Sequence, residues 1–464
     1  MIKIISIAER PDAASPHGLR RLQAEPAECA PENSDDALAL AFAEKHADDL
    51  RFVAPFARWY VYDNGRWRLD LTVIAIDRAR QLCRTAANKA SSSTDAKGLA
   101  SAKTVAAVER LSRSDRRLAA TAEQWDADLF LLNTPDWVID LRDGTRREHR
   151  ADDYLTKATA VAPSGACPRW LQFIGEVTGG DHQLADYLQR VVGYCLTGDT
   201  TEHALFFFYG TGANGKTVFL SALGGVLSDY HRVAPIETFT ASMNERHPTE
   251  LAMLRGARLV TAVETEEGRC WAESRIKALT GGDRITARFM RQDFFEYVPQ
   301  FKLLIAGNHK PSLRTVDEAI RRRIHMVPFT VTIPIEQRDP KLGEKLKAEW
   351  PGILQWALDG HAAWRKIGLA PPEAVTKATA AYLDAEDAVS LWIEERCERN
   401  GEDSLASLFL SWRAWAESNG EQPRANKWLA QVLESRRFTS YRTKKGRKIV
   451  GLRVICPSSD GSND

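Results

Sequence analysis

The sequence predicts an α/β protein built on a parallel sheet with helices, with a small α+β domain before it and a helical, winged-helix-like domain after it. Three observations carry this reading. "ALFFFY", "ARLVTAVE" and "FKLLIAGN" are short, continuously apolar runs bounded by polar turns, as strands buried on both faces require. The first runs straight into Gly-Thr-Gly-Ala-Asn-Gly-Lys-Thr, residues 210–217, and a helical pattern follows. Before residue 160 and after 370 the chain shows hairpin and helix signals without that strand–helix alternation.

A chain of 464 residues is too long for one ordinary core. Residues 1–33, rich in Pro, Ala and Glu over 8–33, are expected to form a poorly ordered leader. The expected N-terminal α+β domain covers 34–160. In it "SDDALALAFAEKHADDL" opens with a cap signal and reads as a helix. "RWYVYDNGRWRLD" turns at Asn64-Gly65 between two alternating aromatic runs, a hairpin signal. A helical stretch is expected over roughly 72–128, broken by "SSSTDAKG", and a second hairpin turns at Asp143-Gly144. The expected central α/β domain covers 161–370, beginning with a helical pattern over 166–198. The expected C-terminal domain covers 371–464 and ends in a basic hairpin, "FTSYRTKKGRKIVGLRVI".

Composition narrows the class. No run of about eighteen apolar residues occurs, so no membrane span is expected. The apolar run at the start is too short for a signal peptide. Seven scattered cysteines without a Cys-x-x-Cys pair suit a reducing cytoplasm rather than a zinc ribbon or disulfide framework. The net charge of +1 hides one local excess: residues 436–454 carry eight Arg and Lys and no acid, a place for an anionic polymer to touch.

Residues Gly210, Thr211, Gly212, Ala213, Asn214, Gly215, Lys216 and Thr217 satisfy the P-loop pattern in its required place, after a strand and before a helix. Glycines let backbone N–H groups curl toward phosphate oxygens, and the helix adds its positive dipole end. Lys216 suits the β- and γ-phosphates of ATP and the Thr217 hydroxyl suits Mg²⁺. Hydrolysis also needs an acid at a neighbouring strand end. Glu264, which ends "RLVTAVE", is the expected metal-side acid and Glu266 the expected base, with exchange of these roles left open. Asn308 ends the third apolar run, where an amide orients water without adding charge, although Asn is also an ordinary turn residue. "DEAIRRRIHMVPF" then supplies three successive arginines, of which Arg322 and Arg323 are candidate fingers acting across a subunit boundary.

These four elements occur in order within about 115 residues. With "GTGANGKT", "RLVTAVETEEG", "IKALTGGDRITARFM", "FKLLIAGNHKP" and "DEAIRRRIHMVPF", the chain resembles a superfamily 3 helicase. More closely, it resembles the ATPase portion of the phage, plasmid and poxvirus primase-helicases. Residues 50–160 are similar to that family's domain just before the helicase. The resemblance implies an AAA+-like core, a hexameric ring, and 3′–5′ translocation on single-stranded or forked DNA in phage, prophage or plasmid replication in a bacterial cytoplasm. It also implies that residues 276–300 line the central channel, where Lys277, Arg288 and Arg291 track phosphates and Phe289 contacts a base or sugar. The family often has an aromatic residue at the position of Arg321. Family members often carry an upstream primase domain; about 160 residues precede the ATPase, too few for that domain plus the intervening one, so helicase or ATPase activity without priming is expected unless a separate primase or polymerase primes.

In the C-terminal hairpin Lys444, Lys445, Arg447 and Lys448 are expected to grip backbone phosphates on a wing. Other readings are a replication initiator or loader whose ATPase controls assembly, a P-loop kinase or GTPase, and a structural NTPase. Asn-Lys-x-Asp, the guanine-reading motif of GTPases, is absent.

Overall fold

The computed structural model describes residues 30–241, 249–264, 268–290, 293–313, 315–419, 423, 425–443 and 446–455, except for the side chains of Glu264 and Ser435. The leader expected over 1–33 lies almost wholly outside the described residues. The chain divides into two compact units, one up to Val61 with Leu69–Ala122, the other Tyr62–Arg68 with Glu123 onward.

In the first unit, helices Asp35–Lys45, Ile74–Ala87 and Ala102–Ser112 pack with strands Leu50–Val53, Arg58–Asp63 and Ala119–Ala120. Ser34 caps the first helix through its hydroxyl, which accepts from the Ala37 amide, as the sequence predicts. The expected turn at Asn64-Gly65 follows Arg58–Asp63, both of its residues at positive φ (47° and 76°). The helical stretch expected over 72–128 differs in two ways. The break falls only on the first two serines of "SSSTDAKG", after the helix that ends at Ala87, and Ser92 caps a new helix over Ser93–Leu99. After Ser112 the chain leaves helix for turns and a two-residue strand.

The second unit centres on five strands, labelled in chain order: β1 (Leu205–Tyr209), β2 (His231–Val233), β3 (Leu259–Glu264), β4 (Lys302–Gly307) and β5 (Ile324–Pro328). Their spatial order is β5-β1-β4-β3-β2, and every pairing is parallel. The three apolar runs of the sequence are the three inner strands β1, β4 and β3. Alternation explains why they need no polar face. Phe206 and Phe208 point into one core with Trp170, Phe219 and Leu304, while Leu205 and Phe207 point into another with Ile276, Leu303 and Ile305. Each such buried phenylalanine stabilises the sheet by roughly 1.5–3 kcal/mol.

The helical pattern over 166–198 resolves into Pro168–Thr178 and His182–Cys195. Gly179 and Gly180, both at positive φ, end the first, and the Asp181 carboxylate restarts the second by accepting from the Leu184 amide at 3.0 Å. Helix Trp350–Ile367 lies against His182–Cys195 so closely that a Cβ at Gly193 would sit 2.1 Å from the His361 amide nitrogen. Helix Glu373–Ala385 packs on the other face, where the Met326 amide donates to the Thr379 hydroxyl.

Beyond it, helices Ala388–Arg396, Leu405–Ser418 and Asn426–Ser435 enclose Trp392, Leu408, Trp412, Leu429 and Ile449. Strands Glu402–Ser404, Gly446–Val450 and Thr439–Thr443 form an antiparallel sheet with Gly446–Val450 in the middle. Thus the basic hairpin of the sequence is present, joined by a third strand.

Candidate phosphate-binding site

Parallel pairing brings the C-terminal ends of four strands level: Glu264 with Gly307, Gly307 with Tyr209, Tyr209 with Pro328. Ligand sites of open α/β sheets form on this edge, because the connecting loops converge there. The loop after β1 is residues 210–215, and helix α1 (Lys216–Leu227) begins at its end with Gly215 as N-cap and no side-chain cap bond. The first amides of α1 thus have no side-chain acceptor of their own, which suits an anion.

Two glycines have physical reasons. A Cβ at Gly210 would lie 2.0 Å from the Phe329 carbonyl oxygen, so the loop can cross the exit of β5 only without a side chain. Gly215 has φ +84° and a Cβ there would meet Val177 at 2.5 Å. The loop is also stapled: Asn214 Nδ2 donates to the Phe329 carbonyl at 2.6 Å and the Ile333 amide donates to the Ala213 carbonyl at 2.9 Å.

Lys216 is buried within this curl. Its ammonium donates to Gly210 O at 2.8 Å, Asn214 Oδ1 at 2.9 Å and Asn308 Oδ1 at 3.2 Å. Burial holds its pKa below the ordinary lysine value. Three acceptors satisfy all three ammonium hydrogens, and none is a carboxylate, so no acid competes for the charge an arriving anion would meet. Thr211, Ala213 and Thr217 are exposed on the open side. The donor set of amides, ammonium and hydroxyl therefore fits a polyphosphate. For a divalent cation the fit rests on the exposed Thr217 hydroxyl and on the position of Glu264, whose backbone ends β3 next to Gly307. Glu266 lies outside the described residues. Among the described residues no cluster of three or more His, Cys, Asp or Glu could hold a metal by itself.

The three arginines stand at the other edge of the sheet. The Leu205 amide donates to the Arg323 carbonyl, and Ile324 pairs with Leu205, five residues and a whole strand away from Gly210. A strand of that length spans roughly 13 Å from first to last Cα, beyond the reach of an arginine toward its own phosphate loop. The three also differ from one another. Arg323 is 6% exposed; its guanidinium donates to Thr280 Oγ1 at 3.2 Å and to the Ala319 carbonyl at 2.7 Å, and burial lowers its pKa. Arg321 pairs with Asp384 at 3.5 Å and Asp387 at 3.6 Å. Arg322 is exposed, and no hydrogen bond or ion pair among the described residues engages its guanidinium.

The expected channel segment is helix Glu273–Gly281, ended by Gly282 at φ +77°, then a hairpin of Ile285–Ala287 with Phe295–Tyr297. Lys277 sits on the helix and is paired with Asp317 rather than free. Arg288 lies over the Phe294 ring at 4.7 Å, and Phe289 stacks on Phe295 at 5.5 Å. Phe289, Met290 and Phe294 are all exposed at the tip, an apolar feature the sequence reading did not single out beyond Phe289. Arg291 lies outside the described residues.

In the C-terminal sheet, Arg447 pairs with Glu434 and Lys448 with Glu402, which also accepts from the Tyr441 hydroxyl at 2.8 Å. Lys444 and Lys445 lie outside the described residues. Arg437 and Arg442 are exposed and carry no hydrogen bond or ion pair from their side chains among the described residues. Charge counting could not rank them above Arg447 and Lys448, because Glu402 and Glu434 join only through folding. No helix of the described residues is long and apolar enough to cross a membrane.

Residues 39–179 match the D5 N terminal like family, and residues 208–323 match a family of unknown function. A protein of Acanthamoeba polyphaga mimivirus, named a "putative helicase", is 25% identical over 330 residues, which is 65% of this chain and 34% of that protein. Another of that name, from frog virus 3, is 24% identical over 279 residues, 55% of this chain and 28% of the relative. The chain thus spans about a third or less of the length of the curated relatives it matches. Among solved structures, an apo form of the NrS-1 C-terminal region covers 91% of this chain and 100% of its own with a TM-score of 0.50 and 8% identity, a likeness of fold. The chain carries the D5 N-terminal-like domain and is a relative of these viral proteins, which bears out the resemblance read from its motifs.

Proposed function

We propose that this chain is an ATP-dependent DNA translocase or helicase of replication, with Mg²⁺-bound ATP hydrolysed at the interfaces of a ring. One observation carries the reading: Lys216 lies in a glycine-built loop at the C-terminal edge of a parallel sheet, with Asn308 of the neighbouring strand 3.2 Å from its ammonium. The strand order β5-β1-β4-β3-β2 suits an AAA+-like P-loop core. The three-helix, three-stranded C-terminal arrangement suits a winged helix.

In this reading the loop amides and Lys216 hold the phosphates, and the Asn308 amide orients the attacking water. Thr217 and Glu264 would hold Mg²⁺, which would supply neutralisation of developing phosphate charge. Glu266 takes the proton of that water. The separation of the arginines from their own loop supports a finger acting in trans, and Arg322 is the one whose guanidinium is unspent. The exposed Phe289, Met290 and Phe294 beside Arg288 suit contact with single-stranded DNA, where stacking and charge act together. The names of the viral relatives favour the same activity.

The test is ATP hydrolysis by the purified chain with and without single-stranded DNA, together with strand separation on a forked duplex. The reading expects DNA-stimulated hydrolysis and unwinding, both lost in Lys216→Ala. DNA-stimulated hydrolysis with no unwinding would instead assign the chain to initiation or loading.

A further inference from the structure

The third arginine, Arg321, has no part in the site as described, and its surroundings give it one. It ends the short helix Glu318–Arg321 and precedes Arg322 directly. Its guanidinium reaches Asp387, whose side chain is 9% exposed. The same carboxylate serves a second cation from its other oxygen: Oδ1 accepts from Arg436, at the end of helix Asn426–Ser435, while Oδ2 faces Arg321. Asp387 is itself fixed. It caps helix Ala388–Arg396, accepting from the Ser390 amide at 3.3 Å and the Ser390 hydroxyl at 2.9 Å. Nearby, the Leu313 amide donates to Glu386 at 2.7 Å. These contacts bridge a cavity of about 1050 Å³ lined by Val316, Asp317, Arg321, Trp412, Trp428 and Arg436, so the ion pair holds this side of the arginine helix while Ile320 anchors its other side in the core.

Two guanidinium groups held by one largely buried carboxylate repel each other once it is neutralised, and each is left short of an acceptor. Asp384, the other partner of Arg321, is 69% exposed and offers a screened, weaker hold. We infer that Asp387 is a positioning residue for the trans arginine: through Arg321 it fastens helix Glu318–Arg321 to the C-terminal module and so sets where Arg322 is presented. This rests on Arg322 being the finger. It also gives a reason for a cation at position 321.

The experiment compares the full-length chain with Arg322→Ala, Arg321→Ala, Asp387→Asn and Asp387→Glu variants. kcat and KM for ATP are measured at saturating single-stranded DNA, and each variant is also mixed with Lys216→Ala subunits. Asp387→Asn and Arg321→Ala are expected to lower kcat about tenfold or more with KM for ATP nearly unchanged, since the loop that binds ATP is untouched. Asp387→Glu is expected to recover most of the rate. Mixing should restore hydrolysis, because Lys216→Ala subunits supply an intact finger to the neighbour's intact loop. Should Asp387→Asn fail to fold, Arg321→Ala, a partly exposed surface change, carries the test. If Arg322→Ala loses hydrolysis while Arg321→Ala and folded Asp387→Asn keep it, the positioning role is overturned and the finger stands. If Arg322→Ala hydrolyses normally, the finger fails and takes the positioning role with it.

Discussion

The ammonium of Lys216 lies 3.2 Å from Oδ1 of Asn308, joining the loop after β1 to the tip of β4 across one strand spacing. The two residues are 92 positions apart in sequence, and the parallel register alone brings them together. A neutral acceptor leaves the lysine charge available for phosphate. Asn308→Asp should therefore turn a hydrogen bond into an ion pair that holds Lys216 and repels the γ-phosphate. We expect kcat to fall about a hundredfold or more, with the fold intact by circular dichroism. Unchanged turnover would remove Asn308 from the site.

Asn214 stands as the staple of the loop, and its loss should separate binding from folding. Asn214→Ala removes the donor to the Phe329 carbonyl and one acceptor of Lys216, leaving buried polar groups unpaired. A cost of about 1–3 kcal/mol in stability is expected, with a raised KM for ATP. Thermal melting measures the stability cost, of which ATP should recover part, and turnover against ATP concentration measures KM.

Much of this site was legible before folding because its determinants are local. β1, β3 and β4 are continuous apolar runs, the loop pattern is contiguous, and Asn64-Gly65 marks its own turn. What escaped the sequence depends on burial and on distant partners. Arg322 and Arg323 are neighbours of identical type, yet only Arg323 folds inward onto Thr280. "SSSTDAKG" breaks the helical stretch only at its first two serines, because Ser92 acts as a cap and the rest is helix. Lys302, a charge at the start of an apolar run, is 2% exposed: its ammonium reaches the Thr197 and Asp199 carbonyls and the Tyr194 ring, closing the end of helix His182–Cys195.

The basic C-terminal hairpin should divide into two kinds of cation. Arg437→Ala with Arg442→Ala removes two exposed charges that no ion pair among the described residues engages. It should weaken DNA binding and reduce the slope of log affinity against log salt by about 1.4, two single-strand phosphate contacts' worth. Lys448→Ala should change the slope much less, because Glu402 already neutralises that charge. Fluorescence anisotropy of labelled single-stranded DNA across a salt series distinguishes them; equal effects would mean the ion pair opens on DNA.

Acid should loosen the sheet through two histidines. Burial pushes His325, against Tyr187, down to about 4 from 6.5, and burial with Arg232 alongside does the same to His231. Between these values the unfolded chain binds a proton that the folded one refuses. Stability is thus full above about pH 6.5 and falls as pH drops toward 4, by about 1.4 kcal/mol per pH unit for each histidine. His325→Asn removes one of them. Its penalty relative to the parent protein should shrink by about 2 kcal/mol between pH 7 and pH 5. An equal penalty at both would mean that His325 is not held neutral.

The sharpest contrast is between adjacent arginines. Arg323→Ala leaves the Thr280 hydroxyl without its guanidinium partner and opens a space beside Gly281 at the start of β5. A loss of about 1–3 kcal/mol follows from the unpaired groups, and reduced activity there would track the melting temperature. Arg322→Ala breaks no side-chain hydrogen bond or ion pair among the described residues, so its melting temperature should stay within a degree or two of the parent. If Arg322 stabilises transition-state charge on the neighbouring subunit's ATP, its loss should nonetheless cost about a thousandfold in turnover. Mixing Arg322→Ala with Lys216→Ala subunits then pairs an intact loop with an intact arginine, and hydrolysis should return. If mixing restores nothing although mass measurements show mixed oligomers, the arginine does not act across the interface.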